Sequence, residues 1–296
     1  MTGTAGPLEG RVAVVTGAAR GLGAALAREL GSRGATVALI GREASGLAGV
    51  RDSLPGPARC WEADVTDEAG MAGVADDVRM QLGPASVVVA NAGLAEGGPF
   101  GESDPATWRR VVEVNLIGSA ITARAFLPQL RATRGYYLQI ASLASIGAAP
   151  MMSAYCASKA GVESFAHSLR AELAHEHVGV GIGYLNWTDT DMIRGVDQHP
   201  VLRELRAHMP RPARKVYPAE TVARHMARAV ERRSAAAYVP GWLRATQLVR
   251  AAMPPVVTAL SKRELPELAR KAPFEATGLL GAGGRADTAG RRGPDR

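Results

Sequence analysis

Short runs of β-branched and aliphatic residues alternate with segments of helical composition along most of this chain, and few folds accommodate that order. The expected strands cover residues 11–16, 35–40, 58–63, 86–90, 135–141, 178–185 and 235–239. The expected helices cover residues 24–32, 43–53, 67–82, 107–130, 155–177 and 219–232. Uniformly apolar strands separated by helices are typical of a parallel sheet that is covered on both faces. The sequence therefore predicts a single-domain α/β fold, a doubly wound parallel sheet of about seven strands.

Length and composition suit one unit of this kind. The chain has 296 residues, of which 47% are hydrophobic and 21% are charged, as in a globular protein with a well-filled core. We expect a flexible N-terminus over residues 1–9, the sheet domain over 10–241 and a C-terminal helical extension over 242–272. The tail over 273–296 is rich in Gly, Arg, Ala and Asp, and we expect it to be disordered.

Charge and cysteine content exclude several classes of protein. Much of the net charge of +7 lies in the tail, and aromatic residues are few, so we expect no nucleic-acid partner. Cys60 and Cys156 are far apart in sequence and have no metal-ligand spacing, so we expect no metal site. The start of the chain resembles no signal peptide, and no stretch of 18 apolar residues occurs. We therefore expect a cytoplasmic protein without a transmembrane span.

A glycine-rich turn directly follows the first strand. The turn reads Gly17-Ala18-Ala19-Arg20-Gly21-Leu22-Gly23. Its glycines would let the backbone approach a pyrophosphate at the N-terminus of the next helix, although the spacing differs from the G-x-G-x-x-G fingerprint. Because it lies between a strand and a helix, the turn predicts dinucleotide binding by a Rossmann-like fold.

The ends of the next strands bear on which dinucleotide binds. The second strand ends in Gly41-Arg42, with a glycine where an acid would bind the ribose of NAD. Arg42, with Arg20 converging on it, favours the 2′-phosphate of NADP(H), and NAD(H) is the alternative. The ends of the third and fourth strands are expected to contact the same cofactor through Asp64, Val65, Asn91, Ala92 and Gly93.

Three polar residues suggest redox chemistry beside this cofactor. Tyr155 and Lys159 are four apart on an expected helix and share a face, so the ammonium can lower the pKa of the phenol. Ser142 ends an earlier strand and could hold a substrate oxygen against the phenol. Such a pair also occurs on many helices as a solvated contact. A lysine is unusual in this arginine-rich chain, which has only four, and this favours the catalytic interpretation.

Together these pieces resemble the short-chain dehydrogenase/reductase family over residues 10–241. The matching residues, in the order of the family, are Thr16, Gly17, Gly21, Gly23, Asp64, Asn91, Ala92, Gly93, Asn115, Ser142, Tyr155 and Lys159. The resemblance implies that Tyr155 is the general acid and base, that Lys159 holds the nicotinamide ribose, and that Ser142 orients the substrate oxygen. It also implies that Asn115 holds a water linking Lys159 to solvent, although a helix-interior amide bonded to nearby backbone is an open alternative.

One loop departs from the family pattern. Where the family has Pro-Gly after the sixth strand, this chain has Leu185-Asn186. The resemblance still implies that Thr188 and Thr190 contact the cofactor, on a loop whose path is uncertain from sequence. Residues 191–217 would cover a hydrophobic substrate.

The expected function is therefore an NADP(H)-dependent oxidoreductase that interconverts a carbonyl and a secondary alcohol, assembled as a homodimer or homotetramer. Two alternatives stay open. The first is a membrane-associated steroid or retinoid-type dehydrogenase, with the extension in peripheral contact with lipid. The second is a dinucleotide-binding regulator that lacks turnover.

Overall fold

Seven parallel strands form the central sheet of the computed structural model, which describes residues 6–291. The nine strands are β1 (Val12–Thr16), β2 (Thr36–Gly41), β3 (Ala58–Glu62), β4 (Ala85–Ala90), β5 (Tyr136–Ile140), β6 (Gly179–Leu185), β7 (Thr188–Asp189), β8 (Tyr217–Pro218) and β9 (Ala236–Val239). The order in the sheet is β3-β2-β1-β4-β5-β6-β9, while β7 and β8 form a separate parallel pair. The predicted parallel α/β sheet is confirmed.

Helices cover both faces of this sheet. They are α1 (Gly21–Gly31), α2 (Ala44–Asp52), α3 (Glu68–Leu82), α4 (Pro105–Val112), α5 (Gly118–Thr133), α6 (Ser153–Leu173), α7 (Asp191–Gln198), α8 (Pro200–His208), α9 (Arg211–Arg214), α10 (Ala219–Glu231), α11 (Leu243–Leu248), α12 (Met253–Lys271) and α13 (Gly281–Arg291). On one face, Leu26 of α1 and Met226 of α10 pack against the strands. On the other, Met71 of α3, Phe126 of α5 and Val162 of α6 fill the core. The doubly wound arrangement is therefore also confirmed.

The order of the strands fixes where a ligand can bind. The chain runs from β1 outward to β3 and then returns to β4 on the other side of β1, so the connections after β1 and β4 diverge. Such a switch point opens a crevice at the carboxyl ends of parallel strands. The glycine-rich turn after β1 and the Asn91-Ala92-Gly93 run after β4 both lie at this edge.

The long helical segment after β4 is irregular at its centre. A π-helical turn over Glu113–Ile117 separates α4 from α5, and Asn115 lies within it at 1% exposure. Such turns redirect single side chains out of the regular helical pattern. Pro105–Thr133 is also the one segment of residues 6–291 whose length and composition would allow it to cross a membrane. Buried residues such as Phe126 pack it against the sheet, as expected of a core helix.

Both ends of the described chain have ordered contacts, although the N-terminus was expected to be flexible and the tail to be disordered. Leu8 is buried, and its N–H donates to the carbonyl of Arg33 at 2.9 Å, which ties the predicted flexible N-terminus to the loop after α1. Residues 1–5 and 292–296 of the two expected segments lie outside the described residues. The described part of the tail ends in α13, and the buried Leu280 donates its N–H to Ala95 at 2.8 Å. The expectation of a disordered tail is wrong for these residues, because long-range contacts order them.

Candidate active site

The glycine-rich turn brings its backbone close to the end of β4. Gly17 has a φ of +64°, and a Cβ there would be 2.8 Å from the Cα of Ala92. A Cβ on Gly23 would be 2.1 Å from the carbonyl oxygen of Gly17, so a side chain larger than hydrogen cannot fit. The N-terminus of α1 is thereby open to a ligand, and its free N–H groups favour an anion.

The side chain of Asn91 joins the two strands at this edge. Its amide nitrogen donates to the carbonyl oxygen of Thr16 at 3.0 Å, and its backbone N–H donates to the Thr16 hydroxyl at 3.1 Å. The N–H of Ala92 donates to the same hydroxyl at 3.2 Å. Asn91 therefore supports the glycine-rich turn from behind, in addition to lining the cleft.

Ser142, Tyr155 and Lys159 lie together in the same cleft. Ser142 follows β5, and its hydroxyl accepts from the N–H of Ala144 at 3.2 Å. The Nζ of Lys159 is 5.7 Å from the centre of the Tyr155 ring and donates to the carbonyl oxygen of Ile140 at 3.2 Å. The helical spacing of the tyrosine and the lysine therefore places both at the end of β5, as the sequence indicated.

Burial governs the protonation of the tyrosine and the lysine. Desolvation raises the pKa of Tyr155 to about 12, and the nearby Ser142 hydroxyl opposes this rise only in part. Desolvation also lowers the pKa of Lys159 to about 8. The expected lowering of the phenol pKa by the ammonium is absent from this arrangement, because removing the phenolate from water costs more than the distant cation returns.

Asn115 lies behind these residues and outside the lining of the cleft. Its side-chain oxygen accepts from the N–H of Leu94 at 2.7 Å. Its amide nitrogen donates to the Leu94 carbonyl at 2.9 Å and to the Ser158 hydroxyl at 2.8 Å. The side chain is thus bonded to nearby backbone, the alternative that the sequence left open, and the role in holding a water stays a prediction.

The two arginines expected at the adenosine end both line the cleft, but acids engage them. Arg20 pairs with Glu43, while its Nη1 is buried and has no hydrogen-bond partner among the described residues. Arg42 pairs with Asp287, and its Nε is 3.7 Å from Asp64. Both guanidinium groups therefore face the cleft, one with an unused donor and one bound to a carboxylate from the tail.

Asp64 has a structural partner that the sequence did not indicate. It accepts hydrogen bonds from the N–H and hydroxyl of Thr66 and from Arg110. These bonds lower the pKa of Asp64 although burial opposes the shift. Arg110 and Asp287 are therefore cleft residues that sequence reasoning missed, since a single helix arginine carries no signal in an arginine-rich chain.

The loop that begins at Leu185-Asn186, where the family has Pro-Gly, has a defined path. The side chain of Asn186 donates to the carbonyl oxygens of Ala213 and Lys215 at 3.0 and 3.1 Å. The loop then pairs with the end of residues 191–217 (the lid), where Thr188 lies opposite Tyr217. Thr188 and Thr190 both reach the cleft. An amide therefore fixes the loop in place of a rigid proline turn.

The cleft has a volume of about 260 Å³. All predicted site residues except Asn115 line it, namely Gly17, Arg20, Gly21, Leu22, Gly23, Arg42, Asp64, Val65, Asn91, Ala92, Gly93, Ser142, Tyr155, Lys159, Thr188 and Thr190. Beside Tyr155 the lid contributes Met192 and Ile193, which belong to an apolar cluster with Val196 and Leu202. Within residues 6–291, no group of three or more His, Cys, Asp or Glu side chains could hold a metal.

Comparison with known proteins gives matches over about two thirds of the chain. The family model described as short chain dehydrogenase matches residues 11–200. A cis-4-hydroxycyclohexanecarboxylate dehydrogenase from Sinomonas cyclohexanicum is 38% identical over 191 residues, which are 63% of this chain and 76% of the relative. The 3-oxoacyl-[acyl-carrier-protein] reductase FabG of Escherichia coli (strain K12) is 29% identical over 189 residues, 64% of this chain and 78% of the relative.

A solved structure has the same fold. It is the crystal structure of a metagenomic short-chain oxidoreductase in complex with NADP. The two chains are 37% identical in sequence, and the TM-score between them is 0.58. The match covers 60% of this chain and 83% of the other. The family match ends at residue 200, so α13 lies outside the part of the chain that it describes.

Proposed function

Because this chain belongs to the short-chain dehydrogenase/reductase family, we propose that it is an NADP(H)-dependent oxidoreductase that interconverts a carbonyl and a secondary alcohol. One observation carries the proposal: Ser142, Tyr155 and Lys159 share a single cleft with the glycine-rich turn. A phenol and a dinucleotide cradle in one cleft supply the proton donor and the hydride carrier that carbonyl reduction needs.

The residues of the cleft fit a nicotinamide dinucleotide. The cradle at Gly17 and Gly23 has no room for a Cβ, which matches close approach of a pyrophosphate. The buried Nη1 of Arg20 lacks a partner among the described residues and can donate to an anion. Arg20 and Arg42 would hold the 2′-phosphate, and this assignment is the basis for favouring NADP(H) over NAD(H).

The protein residues divide the chemistry between them. A nicotinamide cofactor held in the cleft would supply the hydride for the carbonyl carbon. Tyr155 gives its proton to the carbonyl oxygen in reduction, and with a pKa of about 12 the phenol keeps that proton across the neutral range. Ser142 orients the same oxygen, and Lys159 holds the nicotinamide ribose. In alcohol oxidation Tyr155 accepts the proton, so oxidation should quicken as pH rises.

The apolar surroundings of Tyr155 favour a hydrophobic substrate. Met192, Ile193 and Leu280 line the cleft and contribute to the cluster that surrounds Met152 and Val196. An apolar pocket with few polar groups binds a ligand by burying its hydrocarbon surface. We propose a carbonyl or alcohol on an aliphatic or alicyclic skeleton as the substrate class, a cytoplasmic location and a homodimeric or homotetrameric assembly.

A panel of ketones and secondary alcohols tests the activity, with nicotinamide absorbance as the signal and both NADPH and NADH as cofactors. Tyr155→Phe should lower kcat by about 10²- to 10⁴-fold because the proton donor is lost. Tyr238→Phe is the matched control, since Tyr238 stacks on Tyr184 outside the cleft lining. Turnover by Tyr155→Phe equal to that of the control would remove the assigned mechanism. No turnover by the wild type on the whole panel would instead favour the dinucleotide-binding regulator.

The extension favours one second candidate, a membrane-associated steroid or retinoid-type dehydrogenase. Leu248, Val249, Val256 and Leu260 are more than half exposed on α11, α12 and the turn between them. Exposed apolar residues on short helices can contact a lipid surface or another subunit. Sedimentation with liposomes separates this candidate from the proposed function. The full chain would co-sediment with the liposomes only if it is membrane-associated, and replacing Leu248 and Leu260 by Ser would then abolish the co-sedimentation.

A further inference from the structure

A carboxylate from the tail occupies the adenosine end of the cleft. Asp287 on α13 is 3% exposed, and it pairs with Arg42. It also accepts from Arg110, with Nη2 to Oδ1 at 2.8 Å and Nε to Oδ2 at 3.2 Å. A buried carboxylate is favourable only where cations and donors compensate its desolvation, and here two guanidinium groups do so.

The pairing changes the charge that the cleft offers to a ligand. Arg42, Arg110 and Asp64 alone would leave one positive charge at this end of the cleft. Asp287 adds a negative charge and brings the four side chains to neutrality. An incoming anion must therefore replace this carboxylate on the guanidinium groups, because two anions on one site repel each other.

The tail is anchored close to the cleft at several points. The N–H of Thr277 donates to Gly97 and that of Leu280 donates to Ala95, both at 2.8 Å. Leu280 is 2% exposed. Beyond it, Gly283, Gly284 and Ala286 line the cleft with Asp287. The carboxylate is thus delivered by a docked segment and holds a defined position.

We propose that Asp287 determines cofactor selectivity by acting as an internal competitor for the 2′-phosphate of NADP(H). The inference rests on the assignment of Arg42 to that phosphate under the proposed function. NADP(H) has to exchange its phosphate for the carboxylate on Arg42. NAD(H) carries a neutral 2′-hydroxyl and can donate a hydrogen bond to a nearby acid, so it meets no such competition. Arg20 and Arg42 would give the protein a higher affinity for NADP(H) than for NAD(H), and Asp287 makes this difference in affinity smaller.

Isothermal titration calorimetry of the full-length chain tests this without turnover. The ligands are NADP⁺, NAD⁺ and 2′,5′-ADP, the last carrying the 2′-phosphate without the nicotinamide. If Asp287 holds Arg42 nine-tenths of the time, Asp287→Asn should lower the Kd of NADP⁺ and 2′,5′-ADP about tenfold. The Kd of NAD⁺ should stay within about twofold. Glu275→Gln is the matched control, since Glu275 is an exposed acid of the same tail, and it should change none of the three.

Two results would overturn the inference. Unchanged NADP⁺ binding in Asp287→Asn would show that the carboxylate does not compete. Equal tightening of NADP⁺ and NAD⁺, in Asp287→Asn or in a chain ending at Lys271, would show that the tail obstructs the whole dinucleotide without selecting between cofactors.

Arg42→Ala in the wild-type and Asp287→Asn proteins separates these failures from failure of the proposed function. Weaker NADP⁺ binding in Arg42→Ala supports the phosphate assignment even if Asp287 proves irrelevant. If the Arg42→Ala/Asp287→Asn double variant bound NADP⁺ as tightly as Asp287→Asn does, the assignment of Arg42 to the 2′-phosphate would be removed.

Discussion

Replacing Lys159 by methionine should stabilise the protein at neutral pH while it abolishes activity. Burial lowers the pKa of Lys159 from 10.5 to about 8. Each pKa unit corresponds to about 1.36 kcal/mol, so keeping the buried ammonium charged at pH 7 costs about 3 kcal/mol. Methionine fills similar space without a charge, although it leaves the Ile140 carbonyl without the lysine donor, which offsets about 1 kcal/mol of the gain.

The pH dependence distinguishes this cause from a simple packing effect. Below pH 8 the lysine is protonated in both the folded and unfolded states, so the full cost is present. Between pH 8 and 10.5 the folded protein has released the proton and the unfolded chain retains it, so the wild type gains stability as pH rises. The cost should fall to under about 1 kcal/mol at pH 10.

Urea unfolding of the wild type and Lys159→Met at pH 7 and pH 10 measures the effect. The advantage of the variant in free energy of unfolding should shrink by about 2 to 3 kcal/mol between the two pH values. Lys262→Met, at an exposed lysine of α12, should show no such change. An advantage that is the same at both pH values would refute the argument that burial shifts the Lys159 pKa.

Two further substitutions test other parts of the structure. Gly23→Ala should weaken dinucleotide binding at least about tenfold by calorimetry, because its Cβ would collide with the Gly17 carbonyl, whereas Gly49→Ala on α2, with open space around its Cβ, should bind normally. Arg250→Ala should destabilise the protein by about 1 to 3 kcal/mol in urea, because Glu163 (4% exposed) loses its hydrogen bonds with Arg250 at 3.1 Å. Adding Glu163→Gln should recover part of that loss, and an Arg250→Ala protein as stable as the wild type would contradict the assignment.

Local sequence patterns were sufficient for the sheet and the centre of the site. The apolar runs that became β1, β4 and β5 are each buried along their whole length, so nothing in the tertiary structure opposes their local preference. Tyr155 and Lys159 are one helical turn apart, and any helix at that position brings them together. Backbone geometry alone therefore fixes these features.

Protonation in the site could not be predicted in the same way. The pair of Tyr155 and Lys159 suggested a lowered phenol pKa, yet burial raises it to about 12. Desolvation depends on the atoms that surround the phenol, and Tyr155 packs in one apolar cluster with residues of the lid and of the tail. A spacing of four residues indicates proximity, but it carries no information on the water that both groups lose.

The tail shows why composition can indicate the opposite of what a chain does. Glycines lower helix propensity, and a segment as rich in glycine as 278–290 is expected to be disordered. The same glycines permit contacts that larger residues would block, since a Cβ on Gly281 would be 2.7 Å from the backbone carbonyl oxygen of Asp191 on α7. The partners of Asp287 are 245 and 177 residues away, at Arg42 and Arg110. Whether such a segment is ordered depends on whether a distant surface receives it, and here the surface that receives it is the cofactor cleft.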